Sequence, residues 1–485
     1  MARDLLPVLS CAELAAAERA WLGEHPHGEA ALMRRAVKVI ADETRALLGC
    51  RPRSTLVLAG KGKNGADAIL AALVLGGRIS ILLAQGDPVG ALPRKALAAA
   101  RRRGARVLRW DAKRPPALPD TDLVLDGILG AGFVPPLDAS LRTLLRRSNR
   151  LPGIRVAVDV PSGVGDETVS PCFRADLTVS IGCLKSPLLR PSVARQAGRI
   201  RVADIGLPLA LGESRSATGE VLASLRTPRP ARTEKREQGR LLIIGGSRAM
   251  PGAVVMNTEA ALRAGAGLVT VAAPAELQAK AALTLPEAMW IPVKSGLPPR
   301  AAELAGTVDT VLVGSGLGRA GVKLARSAAR RIREVAILDA DALRPEVIRE
   351  TGRAKARILL PHAGEFRRIA GETASPDAAR RTARRLKAII VLKGPLTCVT
   401  DGKTVTHIPL GGPVLARGGS GDLLAGIIAA TVARRRLLGL DLLDAVIAAT
   451  VWHGAAADWL ARREGETAVR TTQLLAGLSP TLRRR

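Results

Sequence analysis

With 485 residues, 47% hydrophobic and 24% charged, the chain is too long for one ordinary core and has the balance of globular domains, so two domains are expected. No apolar run reaches membrane-spanning length, and the start MARDLLPVLSCAELAAAERAW lacks the apolar block of a signal peptide, which predicts a cytoplasmic protein without a membrane partner. The net charge of +30 suggests nucleic acid, but the arginines are spread along the chain and aromatics are 2% with no tyrosine, so a base-stacking platform is poorly supplied and nucleic acid is not the expected partner.

Short β-branched runs alternate with Ala/Leu/Arg-rich stretches from the start. STLVLAG (54–60), RISILLAQ (78–85), TDLVLDGILG (121–130) and IRVAVDVPSG (154–163) read as buried strands ending in turns, with helical patterns around 64–76, 90–104 and 138–148 between them. That alternation implies a parallel α/β sheet with ligands at the strands' C-terminal ends. The five cysteines, Cys11, Cys50, Cys172, Cys183 and Cys398, form no C-x-x-C pair, which argues against a cysteine zinc site, and the histidines show no paired ligand spacing.

AGKGKNGAD (59–67) follows a strand and opens a helix, yet it is neither a Walker A loop nor G-x-G-x-x-G. Further strand ends carry polar groups: Asp126 in LDGILGAG, Asp159 and Ser162 in VDVPSG, and Asp176 with Lys185 in RADLTVSIGCLK. One such group caps a turn easily, but several in one sheet point to a concave site.

Residues 1 to about 210 resemble the NAD(P)H-hydrate epimerase domain, through LMRRA (32–36), GKGKNGAD, LDGILGAGF, VDVPSG and ADLTVSIGCLK. The resemblance implies a Rossmann-like three-layer αβα sandwich with a bound K+, whose ligands would be Asn64, Asp126 and Ser162. It also implies that Lys63, Asn64, Gly65, Ala66, Asp67, the loop from Gly130, and Asp159 hold the hydrated nicotinamide nucleotide. Epimerisation requires assisted loss and return of the ring hydroxyl, with Asp159 as the candidate acid/base. The stretch departs from the family's usual Asn-Asn-Gly-Gly-Asp: Lys63 and Ala66 replace an Asn and a Gly, and Arg34 and Val37 stand where Glu and Gly are usual.

Near 208–239 the alternation breaks. RTPRPARTEKREQG (226–239) reads as a linker or an entry segment, and the domain boundary is expected around 215–235, giving domains 1–215 and 225–485. A second α/β series follows: GRLLIIGGS (239–247), DTVLVGSGLG (309–318), VAILDADAL (335–343), ARILLPHAGE (356–365) and AIIVLKGP (388–395). Then ARGGSGDLLAG (416–426) puts three glycines before Asp422 and an apolar helical run. Glycines and a helix start make an anion cradle. A carboxylate at its lip repels phosphate unless it has its own task.

From about 235 to 480 the chain resembles the NAD(P)H-hydrate dehydratase domain, a ribokinase-like α/β fold, through GGSRAMPGAVVMNTEAALRAGAGLVTVA (245–272), VGSGLG, LDADAL, LLPHAGEF, VLKGPLT, LARGGSGDLLAG and WHGAAADWL. Together the halves resemble the bifunctional enzymes that repair hydrated NADH and NADPH, NADHX and NADPHX. In ribokinase-like enzymes the glycine run cradles the migrating phosphoryl group and the carboxylate takes the proton of the attacking hydroxyl, so Asp422 would be the base. The resemblance further implies that Ala253, Gly318, His362 and Asp422 bind the hydrated substrate. Lys393, Gly394, Pro395, Leu396, Thr397 and Gly421 would bind ADP, the phosphoryl donor, with Mg2+. Asp341 reads as a strand–helix cap, and Trp452 and His453 as packing. A homo-oligomer is expected. Two alternatives stay open: a ribokinase-like small-molecule kinase, and a dehydratase whose basic N-terminal half only binds or regulates.

Overall fold

The computed structural model describes residues 4–483. Residues 1–3 and 484–485, the outer ends of the two expected domains, lie outside the described residues. The described residues divide into two compact units, Leu6–Gly212 and 213–483, the latter taking Asp4 and Leu5 as well.

In the N-terminal unit the helices are α1 (Cys11–Glu24), α2 (Glu29–Leu48), α3 (Lys63–Leu75), α4 (Ala91–Arg102) and α5 (Ala139–Ser148). The strands are β1 (Ser54–Ala59), β2 (Arg78–Leu83), β3 (Arg106–Arg109), β4 (Leu123–Gly127), β5 (Ile154–Val158), β6 (Leu177–Ile181) and β7 (Arg199–Ala203). They form a seven-stranded sheet in the order β3-β2-β1-β4-β5-β6-β7, parallel throughout. Strands buried on both faces need continuous apolar runs, which is how β1, β4 and β5 read. α2 buries one stripe, Met33, Ala36, Val37, Ile40 and Thr44, spaced for one helix face. The order reverses between β1 and β4, and such a reversal opens a crevice at the strands' C-terminal ends. Gly60 lines it because a Cβ there would lie 2.0 Å from the Ile128 carbonyl oxygen.

The other unit opens with β8 (Ser214–Ala217) and continues with β9 (Arg240–Ile244), β10 (Leu268–Pro274), β11 (Met289–Val293), β12 (Thr310–Val313), β13 (Val335–Leu338), β14 (Ala356–Leu359), β15 (Ile389–Leu392), β16 (Thr397–Thr400) and β17 (Val405–Ile408). Their order is β11-β10-β9-β12-β13-β14-β15-β16-β17-β8. β11 through β15 are parallel, while β16 runs antiparallel to β15 and β17. The expected boundary moves: β8 pairs with β17, so the N-terminal unit stops at Gly212 rather than 215, and residues 213–239 fall with the second unit. The helices that shape the site are α6 (Pro251–Arg263), α7 (Val322–Ala329), α8 (Ala363–Ala370), α9 (Pro376–Leu386), α10 (Ser420–Ala433) and α11 (Leu442–Glu464). α10 is buried along nearly its whole length, as its apolar sequence requires. Gly426 lets α6 close on it: a Cβ there would stand 2.3 Å from the Asn257 carbonyl oxygen. Among the described residues no helix is long and apolar enough to cross a membrane.

Candidate functional site

Each unit carries polar groups at the C-terminal ends of its strands. In the N-terminal unit, Asp126 ends β4 and is wholly buried. Its Oδ1 accepts from the Ser162 hydroxyl at 2.7 Å and from the Ile128 N–H at 3.2 Å, and its Oδ2 accepts from the Ser162 N–H at 2.8 Å. Burial nevertheless pushes this carboxyl up to about 6. Asn64, in the first turn of α3, donates its side-chain amide to the Leu129 carbonyl at 3.0 Å and the Val158 carbonyl at 3.1 Å. Asn64, Asp126 and Ser162 thus come together around the ends of β4 and β5.

Asp159 follows β5 with φ of +73°, a left-handed conformation that Asp tolerates better than most residues. Its Oδ2 accepts from the Ala131 N–H at 2.8 Å, its Oδ1 from the Ile181 N–H at 3.2 Å, and the ammonium of the fully buried Lys185 completes a close ion pair with Oδ1. Gly130 separates the two groups: a Cβ there would lie 3.1 Å from the Asn64 Cγ and 3.2 Å from the Asp159 Oδ2. Gly65 packs on Gly60, and Ala66 is buried beneath the first turn of α3.

Two residues depart from a simple reading of the sequence. Lys63 is tied to Glu18 at 3.2 Å and Glu29 at 2.5 Å, so its charge is already answered by two carboxylates. Asp176 is not at the site. It precedes β6 and so lies at the strand's N-terminal end, where it accepts from the Arg155 backbone N–H at 2.8 Å. Lys185 was grouped with Asp176 by the sequence, and only Lys185 reaches Asp159.

In the second unit a cavity of about 530 Å3 opens over the ends of β13 and β14, and Met250, Ala253, Asp341, His362, Glu365 and Asp422 are among its walls. Asp422 sits in the first turn of α10, whose leading N–H groups have no partner within the helix. Gly419 caps that helix with φ of +87°, which glycine adopts freely. The turn is held from both sides: Thr471 donates its hydroxyl to the Gly418 carbonyl at 2.8 Å, and Asn257 donates its amide to the Asp422 carbonyl at 2.7 Å.

A charged group lies under this turn. The Lys393 ammonium donates to Asp339 at 2.7 Å, stands 4.0 Å from Glu365, and would lie 3.3 Å from a Cβ at Gly421. Burial works against its charge, but Asp339 and Glu365 keep the ammonium charged. Lys393 therefore comes beside Gly421, and Gly394, Pro395, Leu396 and Thr397 run outward from it to β16. Among the described residues Asp422 forms no ion pair of its own. Burial and then the nearby Asp339 raise its carboxyl to about 7, with Lys393 pulling it back.

His362 has two roles. It caps α8, with Nδ1 accepting from the Gly364 N–H at 3.0 Å, and it lines the cavity. Glu365 reciprocates by accepting from the His362 N–H at 2.9 Å, a capping box. Asp341 is more than a cap: it lines the cavity and accepts from the Gly318 N–H at 2.8 Å, which brings Gly318 to its rim. Trp452 donates its indole N–H to the Leu478 carbonyl at 2.9 Å and His453 is buried, with burial lowering its pKa to about 4. Asp339 and Glu365 escaped the sequence reading as site residues, and Lys185 was read only as a polar strand end, without its partner Asp159. Each stood inside a quoted motif, and only their pairing in space gives them a role.

The comparisons agree with this division. The NAD(P)H-hydrate dehydratase family profile matches residues 241–479, and the YjeF-related protein N-terminus profile matches residues 29–186. The chain is 34% identical to the bifunctional NAD(P)H-hydrate repair enzyme of Moorella thermoacetica, across 89% of this chain and 88% of that protein. It is also 34% identical to the enzyme of the same description from Gloeobacter violaceus, across 88% of each. A ribokinase-like superfamily protein from Enterococcus faecalis superposes on 56% of the chain and 97% of its own length, with a TM-score of 0.51 and 25% identity. The chain belongs to the family of bifunctional NAD(P)H-hydrate repair enzymes.

Proposed function

We infer that this chain repairs hydrated nicotinamide nucleotides: the N-terminal unit interconverts the R and S epimers of NADHX and NADPHX, and the second unit dehydrates the S epimer at the expense of ADP. The observation that carries the reading is Asp422 at the head of α10, without an ion pair of its own among the described residues, beside the Asp339–Lys393 pair. A carboxyl raised to about 7 is poised to take a proton near neutral pH.

The steps follow from those positions. The ring hydroxyl attacks the terminal phosphoryl group of ADP while Asp422 takes its proton. The first-turn amides of α10 and the Lys393 ammonium hold the negative charge that develops on the phosphoryl oxygens. AMP leaves. The ring nitrogen's lone pair then expels the phosphate, and loss of a ring proton restores the dihydronicotinamide. Mg2+ bound with the nucleotide would supply further positive charge to its phosphates. His362 and Asp341 line the cavity, which supports a role for them in orienting the substrate.

In the N-terminal unit, Asp126, Ser162 and the Leu129 and Val158 carbonyls offer only oxygen, the donor chemistry of a hard cation, and this supports Asn64, Asp126 and Ser162 as residues that would hold K+. The cation would supply positive charge beside the buried Asp126 carboxylate. Substrates of this kind are soluble nucleotides, which supports a cytoplasmic protein.

The test uses each hydrated NADH epimer separately, with and without ADP, and follows recovery of dihydronicotinamide absorbance. Recovery from S that requires ADP, and recovery from R through S, are expected. ADP consumption without recovery would overturn the dehydratase reading. Recovery from S alone would overturn the epimerase reading.

A further inference from the structure

Epimerisation by loss and return of a hydroxyl needs a group that gives a proton to the departing oxygen and later takes one back. Asp159 is badly placed for the first task. Its carboxylate already accepts from a buried ammonium and two backbone N–H groups, so its oxygens are engaged by the protein itself.

Asp67 has the opposite surroundings. It lies on α3, past the first turn, where the helix dipole no longer favours an anion. The residue is 8% exposed, and its Oδ1 is fully buried without a hydrogen-bond partner. The charged groups facing it are Asp159 after β5, Glu18 of α1, Glu29 of α2 and Lys63 at the head of its own helix. Three are negative, and Lys63 is spent on Glu18 and Glu29. Burial first, and the Asp159 charge second, push the Asp67 carboxyl well above the usual carboxylate range.

We propose that Asp67 is the general acid of the epimerisation, protonating the ring hydroxyl as it leaves and regaining its proton from solvent. The proposal rests on the epimerase reading of the N-terminal unit. The carbon–oxygen bond breaks with its electron pair on oxygen, and the Asp67 proton completes a water molecule. The ring nitrogen's lone pair forms a double bond to the same carbon, giving a planar cation that the Asp159 carboxylate stabilises. Water adds to the other face, its surplus proton passes to solvent, and Asp67 regains its proton from solvent. Nothing is consumed.

The full chain is given one hydrated NADH epimer without ADP, and the approach to the epimer equilibrium is followed in wild type, Asp67→Asn and Asp67→Glu. Asp67→Asn is expected to slow interconversion by about 10²–10⁴-fold while dehydrating the S epimer with ADP at the wild-type rate, and Asp67→Glu to recover part of the loss. The wild-type rate should fall as pH rises through the Asp67 ionisation, and Asp67→Asn should lack that limb. Interconversion by Asp67→Asn within a few-fold of wild type, or an unchanged alkaline limb, overturns the proposal. A wild-type chain that never interconverts the epimers removes the epimerase reading itself. Where Asp67→Asn also loses dehydration through misfolding, the carboxyl 13C resonances of wild type decide: an Asp67 already ionised at neutral pH overturns the proposal, and a protonated one upholds it.

Discussion

The two units are built on one plan and allocate their charges differently. Both place one carboxylate against a buried lysine, Asp159 with Lys185 and Asp339 with Lys393, and both leave a second carboxyl that forms no ion pair among the described residues. In the N-terminal unit that second group, Asp67, faces three carboxylates, and burial first and Asp159 second push its carboxyl well above the usual carboxylate range. In the other, Asp422 lies within reach of both Asp339 and Lys393, and its carboxyl settles near 7. The same strand order thus surrounds the two second carboxyls with different charges, and the proposed roles of donor and acceptor rest on that difference. The difference comes from which charges each second carboxyl faces, not from the fold.

The sharpest way to break the comparison is to remove the acceptor. Asp422→Asn is nearly isosteric and cannot take the hydroxyl proton. We expect kcat for dehydration to fall by about 10²–10⁴-fold, with ADP binding changed modestly and epimerisation untouched. Steady-state kinetics of both activities check this, and near-wild-type dehydration would reduce Asp422 to a helix-end residue.

Removing a lysine tests the paired carboxylates. Lys185→Met leaves Asp159 charged and buried without its cation, which should cost about 3–5 kcal/mol of stability. Denaturant unfolding measures the loss. Adding Asp159→Asn should restore part of it, and a double variant no more stable than Lys185→Met would deny the coupling.

A smaller effect comes from pH. The folded-state carboxyl of Asp422 is raised, to about 7, so folding favours its protonated form. Its penalty is absent below the ordinary carboxylate range, grows as pH rises, and is complete above about 7. Asp422→Asn should therefore raise Tm at alkaline pH and lose that advantage on acidification. A Tm difference that does not vary with pH would contradict the assignment.

The smallest effect is expected at Lys63, which replaces the family's usual Asn. Because Glu18 and Glu29 already hold its ammonium, Lys63→Asn should change the epimerisation KM by less than about fivefold, the equivalent of about 1 kcal/mol. A larger rise in KM would mean that Lys63 leaves its carboxylates to bind substrate phosphate.

These distinctions bear on what a sequence can show. β1, β5, β9 and β12 are continuous apolar runs ending in glycine or polar turns, and the structure places each within its quoted stretch. Asp422 was legible because glycine, helix start and carboxylate are contiguous. Lys185 was not: its meaning depends on meeting Asp159 across two strand ends. Asp176 and Lys185 flank one strand, and the sequence cannot tell which end holds the site until the strand's direction and limits are known. Asp339 and Asp341 share LDADAL, yet one turns to Lys393 and the other to Gly318, a division that follows from the turn's geometry rather than its composition. β8, SRSA, is short and lacks the apolar run of the other strands, and its partner β17 lies far along the chain.

The most direct test of the charge allocation is the pH dependence of both activities in one wild-type preparation, from about pH 6 to about pH 9. Dehydration of the S epimer with saturating ADP should rise with pH and level off above about 7, as Asp422 ionises. Epimerisation should fall toward alkaline pH, as Asp67 loses its proton. Two profiles that rise or fall together would contradict the account.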